Sequence, residues 1–272
     1  MNEFGSEMDY KYIIVEKKEH LTIVRINRPE VRNALSPYVS LELEDAFHNF
    51  EDDSEAWIAI VTGVGDKAFS AGFDLKWGAT ASPEEQREAF SKLKYKAVTG
   101  GVTINPNITK PIIAAVNGFA FGGGFELALG CDLIIAAEHA VFSLPEALVG
   151  RVPTEGGVHR LPRQIPFHLA MEILFTYKRI SAQEGVELGF VNKVVPLDKL
   201  MTEAEKMANT IMEGSPLAIR AIKQMVNEGL EMTLREAFST TFPLYVKFMR
   251  SNDFIEGPKA FSEKRKPVWK GV

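Results

Sequence analysis

The chain has 272 residues, and 31 Lys and Arg against 36 Asp and Glu give a formal net charge of −5, with 46% apolar and 25% charged residues. This excludes disordered, collagen-like and disulfide-rich classes and allows one large core, or a domain with an appendage. A mildly acidic chain is also a poor fit to bulk phosphate-backbone binding, which depends on Lys and Arg releasing counterions.

Residues 1–5 are polar and lack the apolar stretch of a secretory signal. Glu3-Phe4-Gly5-Ser6 resembles a cloning scar, so residues 1–7 are set aside and the natural start is expected near Met8. Residues 12–15 and 21–26 are short β-branched runs around a polar stretch, 16–20, which predicts a hairpin. Ser36-Pro37 predicts a helix start, with Leu41, Leu43, Ala46, Phe47 and Phe50 on its apolar face. Runs 57–62, 111–116 and 133–137 are nearly all apolar, as strands buried on both faces require. Ser82-Pro83-Glu84-Glu85 predicts a capping box and an exposed helix.

The last third changes to helix signals. Capping boxes are predicted at Ser181-Ala182-Gln183-Glu184 and Thr202-Glu203-Ala204-Glu205, with stops at Gly189 and Gly214. Further helices are predicted after Ser215-Pro216 and Thr233-Leu234-Arg235-Glu236. Phe238, Phe242, Leu244, Tyr245 and Phe248 form an apolar stripe that serves either the chain's own core or a subunit contact. The most apolar stretch, 111–137, is interrupted by Asn117, Glu126 and Asp132. A membrane span needs about 20 mostly apolar residues, so this stretch reads as core. No membrane association is expected, and a cytoplasmic location is, or an organelle matrix after loss of a targeting segment.

Several motifs have more than one reading. Cys131, the one cysteine, lies among small and apolar residues and reads as a buried inert thiol rather than a nucleophile. The five histidines show no metal-ligand spacing, so no metal site is expected. Gly63-Val64-Gly65-Asp66-Lys67-Ala68 matches G-x-G-x-x-A, but residues 69–73 are not a helical start, so a plain turn is favoured over a dinucleotide site. In Ala68-Phe69-Ser70-Ala71-Gly72 an alanine replaces the first glycine of G-x-S-x-G, and no histidine is placed as base, which argues against a serine nucleophile.

Two glycine turns and two glutamates remain. Ser70-Ala71-Gly72 and Gly122-Gly123-Gly124 could aim backbone N–H groups at one oxygen, or simply permit tight strand-to-helix packing. Glu126 and Glu146 sit in apolar neighbourhoods. Burial there would raise their pKa and suit them to acid/base work, whereas a solvent-facing carboxylate at a helix N-terminus would be structural.

Taken together, these segments resemble the crotonase, or enoyl-CoA hydratase/isomerase, superfamily. Arg28-Pro29 with Arg32-Asn33-Ala34-Leu35 is similar to its R-P-x-x-x-N-A-L segment, and residues 68–75 to its A-F-x-A-G-x-D-L segment. Residues 114–128 resemble its second oxyanion segment, and Phe142-Ser143-Leu144-Pro145-Glu146 with Gly156-Gly157 its second acid/base segment. The match runs in consistent order from Tyr10 to the C-terminus. Residues 122–129 and the tail 256–271 are closest to the carnitinyl-CoA dehydratase branch.

The resemblance implies an α/β fold, a crotonase-type spiral of ββα units over residues 8–199, with a helical C-terminal trimerisation region, 200–272. Trimers, or hexamers made of two trimers, are implied. So is reversible syn hydration or dehydration of an acyl-CoA thioester. The N–H groups of Ala71 and Gly123 would hold the thioester enolate oxygen, and Glu126 and Glu146 would share the water. Arg32, Ala71, Phe73, Asp74, Leu75, Phe261 and Lys264 are the implied coenzyme A contacts, CoA being part of the substrate and no separate cofactor being needed. Isomerisation, thioester hydrolysis and a non-catalytic or RNA-binding role are the alternatives. Two departures stand out. Glu155 sits where many hydratases carry a small residue, and either adds a third carboxylate to the pocket or faces solvent. Trp77 is expected to pack rather than line the acyl site.

Overall fold

The computed structural model describes residues 10–105 and 107–272; the expected cloning remnant, 1–7, lies outside them. Two sheets form the frame. The larger contains β1 (Ile13–Lys18), β2 (Leu21–Ile26), β3 (Ile58–Gly63), β5 (Ile112–Val116), β7 (Leu133–Ala137) and β10 (Lys193–Val195), in the order β1-β2-β3-β5-β7-β10. The smaller has β4 (Ala68–Ser70), β6 (Phe119–Phe121), β8 (Val141–Ser143) and β9 (Ile180–Ser181), in the order β4-β6-β8-β9. Consecutive strands alternate between the sheets: β3 feeds β4, β5 feeds β6, β7 feeds β8. This is the ββα spiral the resemblance implied.

The β1–β2 hairpin pairs Ile13 with Ile26 and Lys18 with Leu21. Its turn is only Glu19 and His20, shorter than the polar stretch 16–20, because Glu16 stays in the ladder and pairs across it with Arg25 at 2.8 Å. All other pairings in the large sheet are parallel. Every residue of β3 and β5 is buried, as a sheet covered on both faces demands. The period of two then divides their side chains. Ala59, Val61, Ala114 and Val116 face one core, while Ile58, Ile60, Ile113 and Ala115 face the other.

Helix α1 (Pro37–Asp52) fills the first core with Val39, Leu43, Ala46, Phe47 and Phe50. Each of the four larger side chains among these contributes about 1.5–3 kcal/mol relative to exposure. Helix α8 (Leu200–Met212) fills the second with Leu200, Ala204 and Ala208. Its start differs from the predicted Thr202 box. Packing of Leu200 draws the helix start three residues earlier, with Lys199 as N-cap. Ser36 is the N-cap of α1 as expected, but its hydroxyl makes no cap bond; Pro37 at the first turn sets the start.

Helices α2 (Leu75–Thr80) and α3 (Pro83–Ser91) follow β4, and Ser82 accepts from the Glu85 N–H at 3.1 Å. Helix α4 (Gly123–Gly130) follows β6 and packs on α5 (Gly157–Gln164), which packs on α6 (Phe167–Thr176). Helix α7 (Ala182–Leu188) opens with the reciprocal Ser181–Glu184 box and stops at left-handed Gly189.

The 63–68 turn is a plain one, leading into a strand. Two carboxamides hold it. Asn33 Nδ2 donates to the carbonyls of Val64 and Ala68, and Asn117 donates to Gly65 and accepts from the Gly63 N–H. The C-terminal helices are α9 (Pro216–Gly229), α10 (Leu234–Ser239), α11 (Pro243–Met249) and α12 (Asn252–Ser262), with the Thr233–Glu236 box opening α10. Helix α9 is anchored to the core by Arg220–Glu51 at 2.6 Å and Lys223–Asp132 at 2.7 Å. The expected stripe divides: Phe242 is buried, whereas Phe238 is 85% exposed. Among the described residues no helix is long and apolar enough to cross a membrane.

Candidate active site

The site stands at the C-terminal ends of three neighbouring parallel strands of the small sheet. β4 delivers residues 71–74, β6 delivers Gly122 and the start of α4, and β8 delivers residues 144–146.

In the first turn Leu35 bridges Phe73 in parallel fashion. The Leu35 N–H donates to the Gly72 carbonyl at 2.8 Å, and the Asp74 N–H to the Leu35 carbonyl at 2.9 Å. The residue bracketed by such a pair turns its own N–H to the other side. That N–H belongs to Phe73. The Ala71 N–H, by contrast, donates to the Arg32 carbonyl at 3.0 Å. The expected donor is therefore engaged within the chain, and the donor left at this turn is two residues further on.

The second turn lies directly against the first. A β-carbon on Gly72 would stand 2.5 Å from the Phe121 carbonyl oxygen and 2.8 Å from the Gly123 nitrogen, and its φ of +79° also calls for glycine. A β-carbon on Gly123 would stand 3.7 Å from the Phe73 nitrogen. The Phe73 and Gly123 N–H groups are thus neighbours, and neither donates to an acceptor among the described residues. Gly123 is the first residue of α4, where N–H groups have no partner inside the helix. Gly124 permits the approach of α4 to β4, since a β-carbon there would stand 2.3 Å from the Ser70 carbonyl oxygen.

The carboxylates come next. Glu126, in the first turn of α4, is 3% exposed, and its Oε1 accepts from the Gly157 N–H at 2.9 Å. Burial pushes its pKa up to about 8, the charges of Glu146 and Glu155 add to the rise, and the Gly157 N–H opposes it. Glu146 opens a short 3-10 turn, Glu146–Val149, and is half-buried. Burial pushes it to about 7, with Glu155 again adding. Its Oε2 is buried without a hydrogen-bond partner among the described residues. Two carboxyls poised near neutrality beside two free N–H donors can move a proton to and from a water while charge collects on a nearby oxygen.

Glu155 turns inward. Its oxygens accept from the N–H groups of Val98 at 2.7 Å and Thr99 at 2.9 Å, and burial raises its pKa. Trp77 packs as expected, edge-on to Tyr38, Phe73 and Phe90. The Phe73 ring also lies under the Arg151 guanidinium, 4.9 Å from it. Asp74 is an anchor: Oδ2 accepts from Arg28 at 3.0 Å, and Oδ1 caps α2 through the Trp77 N–H at 3.0 Å. Leu75 is 45% exposed, and Arg32 is exposed in the left-handed region, with φ +55°. Phe261, 86% exposed, and Lys264 lie at the end of α12, which packs on α11. Cys131 is buried, donates to the Leu127 carbonyl, and has its thiol pKa raised by burial.

The structure thus brings Glu126, Glu146, Gly123 and Phe73 together and leaves Arg32, Phe261 and Lys264 on the surface. The Gly157 N–H and the Arg28–Asp74 pair escaped the sequence reading. Backbone direction carries no residue signature, and an Arg–Asp pair 46 residues apart has no local pattern.

Comparison with known proteins gives the family. The family model described as Enoyl-CoA hydratase/isomerase matches residues 16–272. A carnitinyl-CoA dehydratase of Escherichia coli is 44% identical over 252 residues, covering 91% of this chain and 94% of that protein. The same figures hold for a carnitinyl-CoA dehydratase of Shigella flexneri. The crystal structure of enoyl-CoA hydratase EchA1 from Mycobacterium marinum superposes with a TM-score of 0.87 at 35% identity, covering 96% of this chain and 99% of that one. An enoyl-CoA hydratase from Bacillus anthracis gives 0.87 at 36% identity, covering 96% and 100%. Matched over nearly its whole length in both sequence and fold, this chain belongs to the enoyl-CoA hydratase/isomerase family.

Proposed function

We propose that the protein is a hydro-lyase that reversibly hydrates an enoyl-CoA thioester in the syn sense, with a carnitinyl-type acyl group as its substrate. The observation that carries this reading is the pair Glu126 and Glu146, both raised toward neutrality, beside the free N–H groups of Phe73 and Gly123. The thioester oxygen sits between those two N–H groups. Water held by the two carboxyls adds its oxygen to the β-carbon and gives a proton to the ionised partner. Electrons from the double bond move to the thioester oxygen as an enolate. The protonated partner then delivers its proton to the α-carbon, and dehydration is the reverse. One N–H donor of this kind is worth about 10²–10³ in kcat.

Coenzyme A enters as the substrate's handle, and this chemistry calls for no metal or nicotinamide. Residues 71–75 line its path: the Ala71 and Phe73 backbone, the Leu75 side chain, and Asp74 through the turn it anchors. Arg32, Phe261 and Lys264 meet its phosphates and adenosine, the last two across a subunit boundary. Trimers, or hexamers of two trimers, build on the exposed face of Ile222, Val226, Leu230, Leu234 and Phe238. Sedimentation as a monomer at micromolar concentration would remove that part. The setting is cytoplasmic, with neither nucleic acid nor membrane as a partner.

The first experiment follows loss of enoyl-thioester absorbance with crotonyl-CoA and crotonobetainyl-CoA side by side. The carnitinyl relatives favour faster turnover of crotonobetainyl-CoA. Rapid turnover of crotonyl-CoA alone would make this a general hydratase. Silence on both would remove hydration and leave isomerisation or hydrolysis.

A further inference from the structure

Glu155 takes no part in the proton transfers, yet it ties two walls of the cleft together. It receives the N–H groups of Val98 and Thr99. Five residues on, Arg160 Nη2 donates to the Thr103 carbonyl at 2.7 Å. These two ties run to the same segment, 98–103, and bracket Gly157, the donor to Glu126. On the opposite wall, Val98 Cγ2 lies 3.6 Å from where a β-carbon on Gly123 would stand. One half-buried carboxylate therefore sits between the residue that orients Glu126 and the residue that roofs the Gly123 turn.

We propose that Glu155 is a positioning residue for the reaction: by clamping Val98 and Thr99 to the turn before α5, it keeps the Gly157 N–H on Glu126 and Val98 against Gly123. This rests on the reading of Glu126 and Gly123 as parts of the reaction centre. Two N–H bonds to a carboxylate are charge-assisted and hold direction well. A carboxamide of the same shape can accept only one of them and would turn an N–H₂ toward the other donor. Glu155 has a second effect. The groups acting on Glu126 are the Glu146 and Glu155 carboxylates, which raise its pKa, and the backbone N–H groups of Gly157 and Glu155, which lower it; the Glu155 charge also acts on Glu146. Its negative charge favours the protonated form of both.

The test compares wild type with Glu155→Gln, using crotonobetainyl-CoA and crotonyl-CoA kinetics across pH and amide hydrogen exchange over residues 94–104. The expected result is faster exchange confined to Val98 and Thr99, kcat lower by about 10- to 100-fold, and KM changed by less than about threefold. The pH profile should move to lower pH, because a charge that raised both carboxyl pKa values is gone. An unchanged kcat and pH profile would overturn the proposal. So would faster exchange across the whole chain with a fall in Tm and no movement of the pH profile, which is a merely structural role. If wild type turns over neither thioester, the functional reading fails by itself. The exchange measurement then decides the clamp, and unchanged protection of Val98 and Thr99 rejects it.

Discussion

A β-carbon placed on Gly122 would stand 2.9 Å from Oε1 of Glu146, so this carboxyl rests against the turn that opens α4. The obstructed atom is the end of a flexible side chain, and it would give way before the backbone did. Gly122 also has φ +53°, where an L side chain is strained. With ψ −128° this is not left-handed α, and we expect Gly122→Ala to cost about 1–3 kcal/mol of stability. Its effect on kcat should be larger than that cost implies, since Glu146 is displaced. Thermal unfolding alongside steady-state kinetics separates the two; a variant that loses stability but keeps kcat would detach Glu146 from the chemistry.

The two carboxyls should fail together. Glu126→Gln and Glu146→Gln are each expected to lower kcat by about 10²–10⁴ with a smaller change in KM. The double variant should lose little more than the worse single one, because both act on one water. Full turnover by Glu126→Gln would refute the two-carboxylate scheme.

The same burial makes stability depend on pH, and the sign is fixed. Glu126 has an ordinary pKa of 4.5 that rises to about 8 in the fold. Between those values the folded chain keeps a proton that the unfolded chain releases, so stability falls as pH rises through that window. Glu126→Gln has no proton to lose and still accepts from Gly157. Its Tm should match wild type near pH 4.5 and exceed it near pH 9, as scanning calorimetry at the two values would show. Equal differences at both ends would mean that Glu126 is not buried as described.

Asp74 holds Arg28 on one oxygen and the first turn of α2 on the other. Asp74→Ala removes a helix cap and leaves a largely buried guanidinium unpaired. A loss of about 3 kcal/mol is expected, measurable by urea unfolding. Arg28→Met on that background should recover part of it, since it removes the orphaned charge.

Much of this fold was legible in the sequence where burial leaves a period. The runs at β3, β5 and β7 were readable because a strand covered on both faces must be apolar throughout. The box at Ser181 and the helix start at Thr233 formed because local hydrogen bonding alone decides them. Thr202 failed because the packing of Leu200, a long-range effect, overrode the local cap. At the site, Glu126 and Glu146 showed themselves as charges in apolar surroundings, and Gly123 as part of a glycine turn. The Phe73 N–H was missed in favour of Ala71. Which of these nearby amides faces the cleft depends on the bridge to Leu35, far upstream in the chain, and amides look alike in any sequence.

The alternation of strands between the sheets also shapes how such a protein can change over generations. Three successive units of one plan each bring a different tool to the same place: one a turn with a spare amide, one a helix start with Glu126, one a loop with Glu146. The two amides belong to the main chain, and no substitution other than proline deletes them. The carboxyls, in contrast, can be exchanged one at a time without disturbing the strands that carry them. A lineage built this way can exchange one carboxyl for another side chain while the paired amides at the ends of β4 and β6 pass down intact.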